Sequence, residues 1–95
     1  MVNMTNKIVE YIDLIAFHPG QYVSELIEDY NVTQKEFAER LGVSAKTVSK
    51  LINAEESISK DTAHKLAKLS GVSMQTWLNL QNAYDIKVEE ILKQK

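Results

Sequence analysis

The sequence predicts an all-α fold, a single domain of about five helices. Composition is the first reason, because the 95 residues include one proline and three glycines, and helix-forming Leu, Ala, Lys and Glu are frequent. Spacing is the second reason, because apolar residues recur every three or four positions in successive short segments, as on one face of an α-helix. We expect residues 18–95 to form this domain and residues 1–17 to form a short amphipathic extension before it.

The first helix of the domain is predicted within the stretch "HPGQYVSELIEDYN". Pro19 stands near the helix start, where its missing N–H group costs nothing. His18 is predicted to organise the turn that precedes this helix. The apolar face of the helix is formed by Val23, Leu26, Ile27 and Tyr30.

Two short helices are predicted in "VTQKEFAERLGVSAKTVSKLIN". Thr33 and Glu36 have the spacing of a capping box, which predicts a helix that begins at Gln34. Gly42 suits the left-handed position that ends this helix, and Ser44 caps the next one. Because helices joined by so tight a turn cannot lie antiparallel, we expect them to cross steeply as a helix-turn-helix.

Two further helices complete the predicted domain, one capped by Ser59 and closed by Gly71, and a long one capped by Ser73. The last helix is too long to be covered by so small a domain. Apolar residues along it are therefore predicted to form a dimer or partner surface, consisting of Trp77, Tyr84, Val88 and Ile91. For Trp77 and Tyr84, packing within the core is the alternative.

The charge distribution points to the second helix of the helix-turn-helix. The chain has a net charge of −2, yet residues 33–70 carry seven cations against five anions. One side of this helix is apolar, with Val48, Leu51 and Ile52. The other side carries cations and small hydrogen-bonding groups, namely Lys46, Ser49, Lys50 and Asn53. Such a face can approach phosphates and base edges, although a merely solvated helix surface is the alternative.

The string "TQKEFAERLGVSAKTVSKLINAEESIS" resembles the lambda-repressor-like helix-turn-helix family, and its flanks resemble HigA-type antitoxins. The flanks are "HPGQYVSELIEDYNVTQ" and "GVSMQTWLNLQNAYD". The resemblance implies a lambda-repressor-like bundle that binds double-stranded operator DNA as a homodimer and represses transcription. It further implies the antitoxin of a type II toxin–antitoxin pair, whose partner is a HigB-like mRNA endonuclease toxin.

Roles for individual residues follow from the resemblance. Gln34 would lie against the DNA backbone, and Asn53 would contact phosphate. The start of the recognition helix, which reads bases, maps to residues 44–47. With the lysines nearby, the predicted DNA-binding set is Gln34, Lys35, Ser44, Ala45, Lys46, Thr47, Ser49, Lys50, Asn53 and Lys60.

The chain departs from the family pattern after the recognition helix. Ala54 stands where the family often has glycine, and Glu55 and Glu56 follow it. These glutamates would repel phosphate if they faced it. Ser59 and Lys60 replace the usual Thr-Pro, which keeps the helix cap and adds a cation.

The sequence contains no motif that is typical of an enzyme. His18 and His64 are the only histidines, cysteine is absent, and neither an H-E-x-x-H motif nor a glycine-rich phosphate loop occurs. We therefore expect no catalytic residues, no metal and no cofactor, with His64 on an exposed face. The absence of a long apolar run and of a good signal peptide predicts a cytoplasmic protein with no membrane partner.

Two other functions stay open at this point. One is a phage-type or housekeeping repressor that acts without a toxin. The other is a protein-interaction module that has kept the fold but not DNA binding, which the net acidity and Glu55 with Glu56 favour slightly.

Overall fold

The computed structural model describes residues 17–93, and over that range it consists of five α-helices and no strands. The helices are α1 (Gly20–Tyr30), α2 (Gln34–Leu41), α3 (Ala45–Ile52), α4 (Lys60–Ser70) and α5 (Met74–Lys93). The prediction of an all-α bundle with a central helix-turn-helix is confirmed. The predicted extension at 1–17 lies outside the described residues, apart from Phe17.

Local hydrogen bonds at the helix ends explain why these segments are helical. Thr33 Oγ1 accepts the Glu36 N–H at 3.0 Å, and the Glu36 carboxylate accepts the Thr33 N–H at 3.1 Å. These bonds to Thr33 hold the pKa of the Glu36 carboxyl below its ordinary value. Ser44, Ser59 and Ser73 each accept the N–H of the residue three positions later. All four predicted N-caps are therefore confirmed.

The core is formed where all five helices meet. Its fully or nearly buried apolar residues are Val23, Phe37, Ala38, Leu41, Val48, Leu51, Ile58, Ala63, Leu66 and Trp77. Trp77 is 2% exposed, so nearly all of its side chain packs in the core, as the alternative predicted. The reason is that the amino-terminal part of α5 packs against α4 and is covered there.

The start of α1 lies directly against the end of α3. A Cβ atom at Gly20 would collide with the carbonyl oxygen of Leu51. Only glycine therefore allows the two helices to approach this closely. The Gly20 N–H donates to His18 Nδ1 at 2.9 Å, which confirms that His18 organises the turn before α1.

A polar cluster ties α5 to the segment between α3 and α4. Gln81 is only 6% exposed, and its Oε1 accepts the N–H of buried Ile58 at 2.8 Å. The Gln81 Nε2 donates to Asp85 at 2.9 Å, while the rings of His18 and Tyr84 meet edge to face at 4.8 Å. The stretches around His18 and Gln81 thus meet in space, although they are far apart in sequence.

Candidate nucleic-acid interface

The turn between α2 and α3 is rigidly held, which fixes the angle between the two helices. The N–H groups of Gly42 and Val43 both donate to the Ala38 carbonyl, at 2.8 and 3.0 Å. Gly42 has φ of 86°, a left-handed conformation that suits glycine. The Lys65 ammonium donates to the Gly42 carbonyl at 3.3 Å, so α4 also supports the turn.

Helix α3 presents its polar face away from the core. Val48 and Leu51 are completely buried. On the opposite side, Lys46 and Asn53 are exposed, whereas Ser49 and Lys50 are partly exposed. The side-chain arrangement predicted from spacing is therefore present. A convex helix that offers long cations and small polar groups has the form of a recognition helix for the major groove.

The first turn of α3 combines a cap with accessible side chains. Ser44 Oγ accepts the Thr47 N–H at 3.0 Å and also lies 3.0 Å from Thr47 Oγ1. One of these two hydroxyl protons is used between them, and the other remains available to an acceptor. Ala45 and Lys46, the first two residues of the helix, are exposed. These positions are free to meet base edges.

The lysines around α3 have no anionic partner in the described part of the chain and can bind anions. Among residues 17–93, the ion pairs join Lys65 to Asp61, Lys87 to Glu90 and Lys93 to Glu89. None of the four lysines predicted to contact DNA takes part in them, and these are Lys35, Lys46, Lys50 and Lys60. Gln34 and Lys60 are exposed first residues of α2 and α4, and helix amino termini favour phosphate.

The segment after α3 is held in a strained conformation. Ala54 has φ of 59°, in the left-handed region where glycine is preferred. This explains why glycine is the usual residue at this position in the resembling family. Asn53, the last residue before it, places its Nδ2 3.5 Å from Ser49 Oγ, so the two polar groups stand side by side at the end of α3.

Glu55 and Glu56 are not neutralised by the rest of the described chain. Glu55 is exposed and Glu56 is partly exposed, and no ion pair within residues 17–93 includes either of them. Burial lowers the pKa of the His18 imidazole, while the nearby Glu56 backbone and the charge of Asp85 act in the opposite direction. The His18 ring therefore favours its neutral form.

The other predicted features can be placed briefly. His64 is exposed, as expected, and no group of three or more potential metal ligands occurs between residues 17 and 93. Within the same range, no helix is both long and apolar enough to cross a membrane. Of the predicted partner surface on α5, Tyr84, Val88 and Ile91 are partly exposed.

Sequence comparison places this fold and surface in a defined class. A family model described as Helix-turn-helix matches residues 23–77, which is more than half of the chain. The protein belongs to the helix-turn-helix family. The matched range spans most of α1, all of α2–α4 and the start of α5, and it therefore includes every residue of the predicted DNA-binding set.

Relatives within the family narrow the class further. The chain is 35% identical over 72 residues to the uncharacterised HTH-type transcriptional regulator YddM of Escherichia coli strain K12, covering 76% of this chain and 77% of YddM. It is 40% identical over 62 residues to antitoxin HigA-1 of Vibrio cholerae, covering 65% of this chain and 58% of that protein. It is therefore similar to a HigA antitoxin.

A solved structure shows the same relationship. The chain superimposes on Pseudomonas aeruginosa antitoxin HigA, solved with the higBA promoter, with a TM-score of 0.75 and 30% identity. The match covers 79% of this chain and 83% of that one. The resemblance to HigA-type antitoxins inferred from the flanking motifs is confirmed.

Proposed function

We propose that this protein is a sequence-specific DNA-binding transcriptional repressor and the cytoplasmic antitoxin of a type II toxin–antitoxin module that regulates its own operon. The observation that carries the proposal is the outer face of α3. There Lys46 and Lys50 form no ion pair within residues 17–93 and are accessible opposite buried Val48 and Leu51. The similar HigA of Pseudomonas aeruginosa was solved with its promoter, which supports operator DNA as the ligand.

The interface divides into base-reading and backbone-holding groups. Ser44, Ala45, Lys46 and Thr47 occupy the exposed first turn of α3, which enters the major groove first. Lys50 and Asn53 lie further along the same face. Gln34, Lys35 and Lys60 hold the phosphate backbone from the starts of α2 and α4.

A homodimer is the assembly we propose on DNA. Two copies of α3 about 34 Å apart would meet successive major grooves of a palindromic operator. The carboxy-terminal part of α5 supplies the dimer surface, because Ile86 and Leu92 are 49% and 61% exposed and Tyr84, Val88 and Ile91 are partly exposed. Exposed apolar residues along one helix are typical of an interface between subunits.

The toxin is the second partner. The similarity to antitoxin HigA-1 of Vibrio cholerae supports a HigB-like endoribonuclease, encoded beside this chain, as the protein that it neutralises. The similarity to YddM, which is named only as a transcriptional regulator, supports a repressor without a toxin as the second candidate. Purification of the adjacent gene product and measurement of its binding to this protein separates the two.

Salt-dependent binding to the DNA upstream of its own gene tests the repressor function. If Lys50 contacts phosphate, Lys50→Ala lowers the slope of log affinity against log salt by about 0.9. If Lys50 reads a base, the same change costs about 1–3 kcal/mol on the operator and little on unrelated DNA. Fluorescence anisotropy over a salt series measures both quantities.

Lys93→Ala is the matched control for this experiment. Lys93 is an exposed lysine at the far end of α5 and is paired with Glu89. Its replacement should leave the affinity and the salt slope unchanged. If wild-type protein does not bind this DNA, alone or with its partner, the DNA-binding proposal is wrong.

A further inference from the structure

A groove of about 340 Å³ lies between α1 and α5, on residues that the DNA-binding proposal does not use. Apolar side chains form much of its surface, with Tyr22 and Leu26 from α1 and Trp77 and Leu80 from α5. Two carboxylates complete the α1 side, those of Glu25 and Asp29. No lysine or arginine of residues 17–93 lines the groove.

The indole of Trp77 has an unused hydrogen-bond donor. Trp77 is 2% exposed, and its Nε1 has no acceptor among the residues that the structure describes. Buried polar groups without a partner are rare in folded proteins, because their hydration is lost without replacement. Trp77 also lines the groove, so its indole group can report on an occupant there.

The two carboxylates have no ion-pair partner in the part of the chain that the structure describes. They are four residues apart on α1 and therefore lie on the same face of the helix. Within residues 17–93, neither Glu25 nor Asp29 takes part in an ion pair. An apolar groove beside two unpaired carboxylates fits a cation on an aliphatic stem, since arginine and lysine bury the stem and keep the charge outside.

We propose that this groove binds a cationic segment of the partner protein. The stem of an arginine or lysine packs on Tyr22, Trp77 and Leu80, and its charged head lies between Glu25 and Asp29. This inference rests on the proposed function, because the partner is the toxin encoded next to this chain.

Charge favours a different protein over this chain itself. A second copy brings a net charge of −2, and residues 7–17 carry Glu10 and Asp13 against Lys7 alone. Each of these occupants would bring acidic groups to an acidic groove. A basic partner segment has the opposite sign and gains from both carboxylates.

The single tryptophan makes the groove directly observable by NMR. The ¹⁵N-labelled full chain has one indole resonance, and it is titrated with the unlabelled protein encoded by the adjacent gene. We expect the Trp77 indole resonance to shift on binding, because Trp77 lines the groove that the partner fills. Glu25→Gln combined with Asp29→Asn should weaken partner binding about tenfold.

Glu28→Gln is the matched control, because Glu28 is an exposed carboxylate of α1 that does not line the groove. It should change the affinity by less than about twofold. Operator binding by both variants, measured in parallel, shows that they are folded. If the wild type fails to bind its operator, the repressor proposal fails, and the indole titration still decides on the groove.

Four results would overturn the groove proposal. One is an absence of binding by the adjacent gene product, and another is an indole resonance that stays in place at saturation. A third is equal affinity in the doubly neutralised variant. The last is occupation of the groove by this chain itself. A second copy would be shown by an indole shift that depends on protein concentration, and residues 7–17 by an indole shift of the free protein on Ile12→Asp.

Discussion

The exposed faces of α3 and α1 have opposite charge in a chain of net charge −2. Helix α3 shows Lys46 and Lys50 with small polar neighbours, which suits a polyanion. Helix α1 shows Glu25 and Asp29 beside an apolar groove, which suits a cationic partner segment. The difference teaches that net charge is a poor guide to partners when the charges are segregated onto separate helices.

The largest effect on stability is expected at the contact between α1 and α3. Gly20→Ala puts a Cβ atom into the Leu51 carbonyl and pushes α1 away from α3. We expect a loss of about 3 kcal/mol or more in the free energy of unfolding, with both exposed faces disturbed together. Urea denaturation followed by circular dichroism measures it.

Gly71→Ala is the control for this change. Gly71 has φ of 80°, but a Cβ atom there meets nothing within 4 Å. Its cost is limited to the left-handed conformation, about 1 kcal/mol. If Gly20→Ala were no more destabilising than Gly71→Ala, the close approach of α1 and α3 would not be as described.

A smaller loss of stability is expected from Gln81→Leu, which should also weaken DNA binding. It leaves the buried Ile58 N–H without an acceptor and should cost about 1–3 kcal/mol of stability. The start of α4, with Lys60, should also lose its fixed position, and operator affinity should fall. Gln75→Leu, at an exposed Gln75–Asn79 pair on the same helix, should be almost neutral. Equal effects of the two changes would contradict this role for Gln81.

A gain in stability is expected from Ala54→Gly. Ala54 has φ of 59°, so glycine relieves strain directly after the recognition helix and should raise stability by about 1 kcal/mol. Partner binding at α1 should not change. Asn31→Gly is the control, because Asn31 has φ of 55° but asparagine tolerates this region. Thermal melting measures both variants, and an equal gain in melting temperature for the two would refute the strain at Ala54.

The smallest effect concerns pH. Burial lowers the pKa of His18 in the folded protein, so the unfolded chain binds more protons below about pH 6.5. The free energy of unfolding should therefore decrease as pH falls from about 6.5 through the folded-state pKa. Denaturation at several pH values should show a weaker dependence for His18→Asn than for the wild type. Identical profiles for His18→Asn and the wild type would exclude this assignment.

Local features were predictable from the sequence because they depend on residues three or four positions apart. The four N-caps, the Gly42 turn and the two faces of α3 all follow from such spacing. Trp77 was assigned to a partner surface because its spacing with Tyr84 shows only that they share a face. Whether that face is covered depends on α1 and α4, which come from other parts of the sequence.

Features built from distant segments were not predictable in this way. Ile58 was absent from the predicted core, and Gln81 gave no sign that its amide would be buried. Their hydrogen bond joins residues 23 positions apart. The groove between α1 and α5 likewise requires the tertiary arrangement, because Glu25 and Trp77 are neighbours only after folding.

The contact between His18 and Tyr84 has a consequence for protein engineering. The two rings meet edge to face at 4.8 Å, beside the Gln81 amide that holds Ile58. The segments around His18 and around Tyr84 therefore have to be exchanged together in a chimaera. A chimaera in which residues 44–53 are replaced by the recognition helix of a relative keeps the contact between His18 and Tyr84. A chimaera that replaces only the segment around His18, or only the segment around Tyr84, loses it.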